Sequence, residues 1–163
     1  MTPTEKYTWG SLISGILVFG WFIMKMTDGF SIVAYEGNAL LSIFIGVIIA
    51  TIIARIITAS AAAMFFGYNE QDEDYMQDER DLAIERNADR IGFLAVTSLV
   101  AIIIMLLLLQ DSSPSYRLGI EDWSLRIEGS AGMFFALMSS LFVGHLVRDS
   151  AIILFYRRHA LAI

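Results

Sequence analysis

Four residues with ionisable side chains lie inside otherwise apolar stretches of this sequence: Arg55, His145, Arg148 and Asp149. A charge inside hydrocarbon costs about 3 kcal/mol on insertion scales unless a partner neutralises it. We therefore expect Asp149 to pair with Arg55 or Arg148. His145 precedes Asp149 by one helical turn on the same face, so it can exchange a hydrogen bond with Asp149.

Two interpretations of these four residues stay open. In the structural one, a single ion pair fixes the register between the second and fourth apolar stretches. In the functional one, His145 and Asp149 relay protons or ions in a small oligomeric transporter or channel. Two arginines against one aspartate leave a surplus positive charge for an anionic lipid head group, an acidic segment of a neighbour or an anionic substrate. We favour the structural interpretation.

Other chemistries lack the residues that they need. The sequence contains no cysteine, which excludes thiolate metal sites and cysteine nucleophiles. It has no motif of a serine hydrolase, a zinc protease or a nucleotide-binding loop. His145 and His159 sit at different depths, so we expect no shared metal site. No basic patch suits nucleic acid. We therefore expect a non-catalytic protein without a metal or a cofactor.

Four long apolar stretches must position the polar residues: residues 8–24, 40–66, 91–109 and 131–156. Each approaches or exceeds the roughly 17–25 residues of a spanning helix. They are continuously apolar rather than alternating, which favours helices over barrel strands. The hydrophobic fraction, 56%, is higher than in typical soluble domains, and the charged fraction, 17%, is lower. Both differences favour a lipid-facing surface. We predict an all-α membrane protein, a four-transmembrane-helix bundle with residues 1–163 as its single domain.

The basic residues that flank the spans predict the orientation. One side would hold Lys6, Arg80, Arg86, Arg90, Arg157 and Arg158, and the other Lys25, Arg117 and Arg126. This excess places both termini in the cytoplasm, with the loops 26–39 and 110–130 outside. Residues 115–129 fit either a short hairpin or an interfacial helix.

The segment 67–90 holds nine acidic residues and three arginines, so it carries the whole net charge of −6. Its second half contains no glycine or proline and leads directly into the third span. We expect one helix from about residue 78 to 109, whose first turns extend into the cytoplasm. The extension is either a solvated helix or a docking surface for a partner. The docking residues would be Asp78, Glu79, Arg80, Asp81, Glu85, Arg86, Asp89 and Arg90.

The residues at the start of this helix are similar to a family signature. Asp78-Glu79-Arg80-Asp81, followed by Ile84, Arg86, Ala88 and Ile91 before a long apolar run, resembles an uncharacterised family of small bacterial and archaeal multispan membrane proteins. Its members carry Asp-Glu-Arg, then Ile, then Ala before a span, and many are encoded near small DNA-binding regulators. The resemblance implies a regulatory or accessory protein of a bacterial plasma (inner) membrane, and it assigns no site beyond the signature.

Small residues recur at intervals of four on two spans. The second span has Ser42, Gly46, Ala50, Ala54, Thr58 and Ala62, and the fourth has Gly132, Ala136, Ser140 and Gly144, followed by Arg148. Small residues let helix backbones approach closely in lipid. We expect these spans to pack on each other or across a symmetric dimer axis, in a homo-oligomer. The expected partners are thus membrane lipid, a second copy and a cytoplasmic or membrane protein.

Overall fold

Four long helices make up most of the structure, a computed structural model that describes residues 3–29, 31–66, 79–111, 127 and 129–160. They are α1 (Pro3–Met26), α2 (Gly37–Phe66), α3 (Glu79–Asp111) and α4 (Gly129–Ala160). Each contains a window that is long and apolar enough to cross a membrane. This confirms the predicted all-helical architecture with four helices long and apolar enough to span a membrane, which is typical of a multi-pass membrane protein.

A short antiparallel hairpin joins α1 to α2, where the sequence indicated only a loop. Its strands are β1 (Thr27–Asp28) and β2 (Ser31–Ile32). Gly29 adopts a positive φ of 65°, which a two-residue connection between strands requires and which glycine adopts without strain. The Val33 amide donates to the Met26 carbonyl at 2.9 Å, so the hairpin also closes the end of α1.

The helix α3 runs unbroken for 33 residues from the charged segment into the third span. No proline interrupts it, and its charged first turns continue into the apolar run, as the sequence predicted. Asp78 lies outside the described residues, and so do the side chains of Glu79 and Arg80. The alternatives for residues 115–129 likewise fall outside the described residues, apart from Ile127 and Gly129.

Each helix runs antiparallel to the helices on which it packs. The order across the molecule is α2, α1, α4, α3, because α1 packs on α2 and on α4, and α3 packs mainly on α4. The start of α1, the end of α2, the start of α3 and the end of α4 consequently lie together, at what we call the terminal end. The opposite end, with β1 and β2, is the hairpin end. The four helices thus form a row, in which α2 and α4 also meet at the hairpin end, where the rings of Phe44 and Phe134 lie with centroids 6.3 Å apart.

The small residues of α2 face α1. A Cβ at Gly10 would lie 2.7 Å from the Thr58 side chain, and a Cβ at Gly46 would lie 3.2 Å from the Trp21 ring. Within one chain, therefore, α2 packs on α1 rather than on α4, which corrects the first of the two expected pairings. A spacing of four residues defines a helix face but does not identify the helix that covers it. Pairing across a dimer axis stays a prediction.

The small residues of α4 include one very close approach to α3. A Cβ at Gly144 would overlap the Val96 side chain and lie 3.3 Å from the Gly92 carbonyl oxygen. A Cβ at Gly92 would in turn lie 2.9 Å from the Arg148 Cβ. Two facing glycines therefore bring the α3 and α4 backbones together at this level, and Gly92 is a packing residue that the sequence analysis missed.

Two apolar clusters hold the row together on either side of this level. Toward the hairpin end, Phe22 is fully buried and stacks on Phe135 of α4 with ring centroids 5.7 Å apart. Toward the terminal end, α3 packs on α4 through a buried cluster made of Ile84, Ala88, Ala151, Ile152 and Tyr156. The start of α3 is thus fixed to α4 beyond the apolar part of the third span.

We predict that Gly144→Ala destabilises the protein, because the added Cβ forces Val96 out of place. The expected loss is about 1–3 kcal/mol in the free energy of unfolding. Titration of the micelle-embedded protein with a denaturing detergent, followed by circular dichroism, measures this free energy. Gly20→Ala is the matched control, since nothing lies within 4 Å of a Cβ at Gly20. Equal stabilities of the two variants would contradict the close approach.

Candidate functional site

The carboxylate of Asp149 is the centre of the polar site. Its side chain is 1% exposed, so it is almost completely removed from solvent. The Ser11 hydroxyl of α1 donates to its Oδ2 at 2.7 Å. His145, one turn earlier on α4, places Nε2 at 3.6 Å from the same oxygen. Each of these contacts lowers the cost of a carboxylate that has lost its water.

Arg148 connects this buried carboxylate to a second one on α3. Its Nη1 lies 3.3 Å from Asp149 Oδ1, and its Nε donates to Asp89 Oδ1 at 2.5 Å. The Asp89 side chain is 59% exposed, so the pair links the interior to the surface. Because Gly92 has no side chain, α3 approaches the backbone of Arg148 closely enough for this contact. We call the set Ser11, Asp149, Arg148 and Asp89 the ion bridge.

The ion bridge joins α1, α4 and α3. This corrects the expectation that a single ion pair fixes the register between the second and fourth spans. Arg148, not Arg55, lies beside Asp149. Arg55 is exposed on α2, and in the part of the chain that the structure describes it makes no ion pair. The surplus positive charge that the sequence indicated therefore resides on α2.

Sequence reasoning missed the bridging roles of Ser11 and Asp89. Nothing in the sequence distinguishes Ser11 from the other small residues of the first span. Asp89 is among the predicted docking residues, although it lies only two residues before the third apolar stretch. Its position within two residues of Ile91 is a signal for the contact with Arg148. A charge at the start of the third span lies at the same level as the charges near the end of an antiparallel fourth span.

The remaining docking residues lie on a helix whose two faces differ. Ile84 and Ala88 are buried against α4, and on the other side Leu82, Arg86 and Arg90 are exposed. Asp81 and Glu85 are half-buried along the border. We call Leu82, Arg86 and Arg90 the charged face of α3.

The described residues contain no group of three or more His, Cys, Asp or Glu side chains that could hold a metal ion. The contacts of the ion bridge are electrostatic. It neutralises a buried charge and ties three helices at one level. Through Arg148, its buried carboxylate is also connected to an exposed one.

The fold and the site define the class of a multi-pass α-helical membrane protein whose core contains an ion-bridged polar layer. No protein-family model matches the chain, and neither does any curated protein or solved structure. The resemblance through the Asp78-Glu79-Arg80-Asp81 signature stays a prediction.

We predict that Arg148→Leu lowers the free energy of unfolding by about 3–5 kcal/mol, because Asp149 stays buried without its positive partner. Asp89→Asn is expected to cost less than about 1 kcal/mol, since the Asp89 carboxylate is largely exposed and can hydrate. Detergent-induced unfolding of the two variants compares them directly. If Asp89→Asn proved as damaging as Arg148→Leu, burial of Asp149 would not be the dominant constraint.

Proposed function

We propose that this chain is a non-catalytic protein of a bacterial plasma (inner) membrane that acts by binding another protein, as a regulatory or accessory subunit. The observation that carries the proposal is the charged face of α3. Leu82, Arg86 and Arg90 are exposed on it, while the opposite face of the helix packs on α4. A basic face beside one exposed leucine suits recognition of an acidic protein surface.

The anchoring supports a docking role. Ile84 and Ala88 fix the start of α3 against Ala151 and Tyr156 of α4. A surface that is ordered before it meets its partner loses less conformational entropy on binding than a free helix would. The two-sided character of this segment, apolar toward α4 and charged outward, therefore favours docking over a merely solvated extension.

We place the terminal end in the cytoplasm. Of the described basic residues that flank the spans, that end carries Lys6, Arg86, Arg90, Arg157 and Arg158, while the hairpin end carries Lys25. Basic flanks are retained on the cytoplasmic side during insertion. With this orientation, the charged face of α3 is available to cytoplasmic proteins.

A second copy of the chain is one partner that this surface fits. Acidic and basic residues are neighbours along α3, with Glu85 before Arg86 and Asp89 before Arg90. Two copies of the same orientation, related by a two-fold axis normal to the membrane, would place Arg86 of one α3 at nearly the height of Glu85 of the other. Opposite charges at the same height support the expected homo-oligomer.

A photo-crosslinking amino acid at Arg86 tests the docking role in intact cells. We expect defined adducts with a protein, either a second copy at twice the chain mass or a different chain. The same amino acid at Ser60, exposed on α2 near the same end, is the matched control and is expected to give no protein adduct. Adducts of the Arg86 derivative with lipid and water alone would contradict the proposal.

An ion- or proton-coupled transporter is the second candidate, and one observation favours it. The fully buried Asp149 contacts His145, whose side chain is 32% exposed, and reaches the exposed Asp89 through Arg148. Ionisable groups therefore connect the interior to one face of the membrane. Toward the hairpin end, stacked phenylalanines close the same helix interface, so a path across would need a second copy.

Flux measurements in proteoliposomes separate the two candidates. If the chain transports protons or ions, Asp149→Asn abolishes the flux and leaves the helical content unchanged, since asparagine retains the shape and the hydrogen bond to Ser11. Asp28→Asn, an exposed change in β1, is the matched control and should retain full flux. Wild-type protein that gives no flux of any tested ion above empty liposomes would eliminate the transporter.

A further inference from the structure

An open groove follows one face of α4 and is bordered by α3. Its volume is about 460 Å³, within the range of sites that hold a single small molecule. Its apolar lining includes Ile91 of α3 and, on α4, Val143, Val147 and Leu154. The groove extends along α4 from Val143 to Arg158, which is about 22 Å by helical rise. Its length and lining suit an extended apolar chain.

Two polar residues line this groove in the part of the chain that the structure describes, Ser150 and Arg158. Arg158 is exposed and makes no ion pair with any other described residue. Its neighbour Arg157, in contrast, lies over the ring of Trp9 on α1, with its Cζ 5.5 Å from the ring centroid. No acidic side chain is among the described residues of the lining. The groove therefore offers an uncompensated cation and a hydroxyl donor.

The level of the membrane along this groove follows from α3. Asp89 and Arg90 are exposed on this helix, and the stretch 91–109 that follows contains no charged residue. By helical rise this stretch is about 28 Å long, close to the hydrocarbon thickness of about 30 Å. One hydrocarbon boundary therefore passes α3 near Asp89. It passes α4 near Arg148, because Asp89 and Arg148 are in contact.

This boundary divides the groove into two parts. Val143 lies about 8 Å from Arg148 on the hydrocarbon side. Ser150 and Leu154 lie about 3 Å and 9 Å beyond Arg148, so this part of the groove crosses the head-group layer, which is about 5–8 Å deep.

Arg158 follows Leu154 by one helical turn, at the outer end of the groove. Side chains of a helix tilt toward its N-terminus, and the N-terminus of α4 lies at the hairpin end. The Arg158 side chain is therefore directed back toward the head-group layer. Leu154 itself is 60% exposed at this level, so an apolar surface there lacks a cover within the described chain. The groove thus leads from the acyl chains of the bilayer to a cation beside its head groups.

We propose that this groove binds an anionic phospholipid from the leaflet at the terminal end. One acyl chain lies along Val143 and Val147, and the phosphate accepts hydrogen bonds from Arg158 and Ser150. Such a lipid matches the groove at both ends, because it is apolar on the hydrocarbon side and negative at the head groups. Arginine in particular matches phosphate oxygens with two parallel hydrogen bonds. The site requires only that α3 and α4 cross a membrane, and it is independent of any protein partner.

Native mass spectrometry of the detergent-purified chain tests the site, with palmitoyl-oleoyl phosphatidylglycerol and the phosphatidylcholine of the same acyl chains as competing probes. We expect wild type to retain phosphatidylglycerol preferentially. Arg158→Leu should reduce that preference about fivefold, as expected for the loss of one basic residue at an anionic surface. Arg158→Lys should retain part of the preference, because it retains the charge but not the paired donors. Val147→Phe, which fills the apolar part of the groove, should lower the retention of both lipids.

Arg157→Leu is the matched control, since it removes the same charge from the adjacent position, which lies outside the groove. It should leave the preference unchanged, and all variants should retain the circular dichroism of the wild type. A wild type that binds both lipids equally would overturn the proposal, and so would an equal loss of preference in Arg157→Leu and Arg158→Leu. Displacement of the lipid by millimolar inorganic phosphate would also contradict it. A further contrary result would be that Arg158→Leu changes the oligomeric mass but not the lipid preference, because a second copy would then cover the groove.

Discussion

The packing of the helices in this fold depends on compensating one buried carboxylate. Asp149 is 1% exposed on a helix that is long and apolar enough to span a membrane. Its charge is tolerable only if neighbouring groups replace the lost hydration. Ser11 and Arg148 do so directly, and Asp89 in turn holds Arg148 in place. The packing of α1 and α3 on α4 thereby becomes a condition for stability and not only a result of apolar contact.

This electrostatic requirement is met through close backbone approach. Gly92 and Gly144 face each other where α3 crosses α4, and a Cβ at either glycine would meet atoms of the other helix. Lipid supplies no hydrophobic drive between helices, so dispersion contacts at such short range stabilise the pair. The same approach brings the Asp89 carboxylate to Arg148. Packing and charge neutralisation are thus coupled at one level of the molecule.

The helices themselves could be predicted from the sequence far better than the pairs of helices that pack together. Four spanning helices follow from uninterrupted apolar length, and the long α3 follows from the lack of breakers between its charged start and its apolar run. The choice of Arg148 over Arg55 for Asp149 did not follow. A spacing of four on α2 indicates a tightly packed face, but α1 and α4 are equally suitable partners for such a face. Which helix covers it depends on tertiary geometry that periodicity does not encode.

The residues of the ion bridge are also synthesised in a fixed order. Chains are made from the amino terminus, so Ser11 and Asp89 exist before Arg148 and Asp149 are synthesised. When α4 enters the bilayer, the hydroxyl and the carboxylate that neutralise its charges are already there. The chain order therefore places α4, with its buried charge, after both helices that supply partners for it. Inserted ahead of α1 and α3, the same helix would enter the bilayer without these partners.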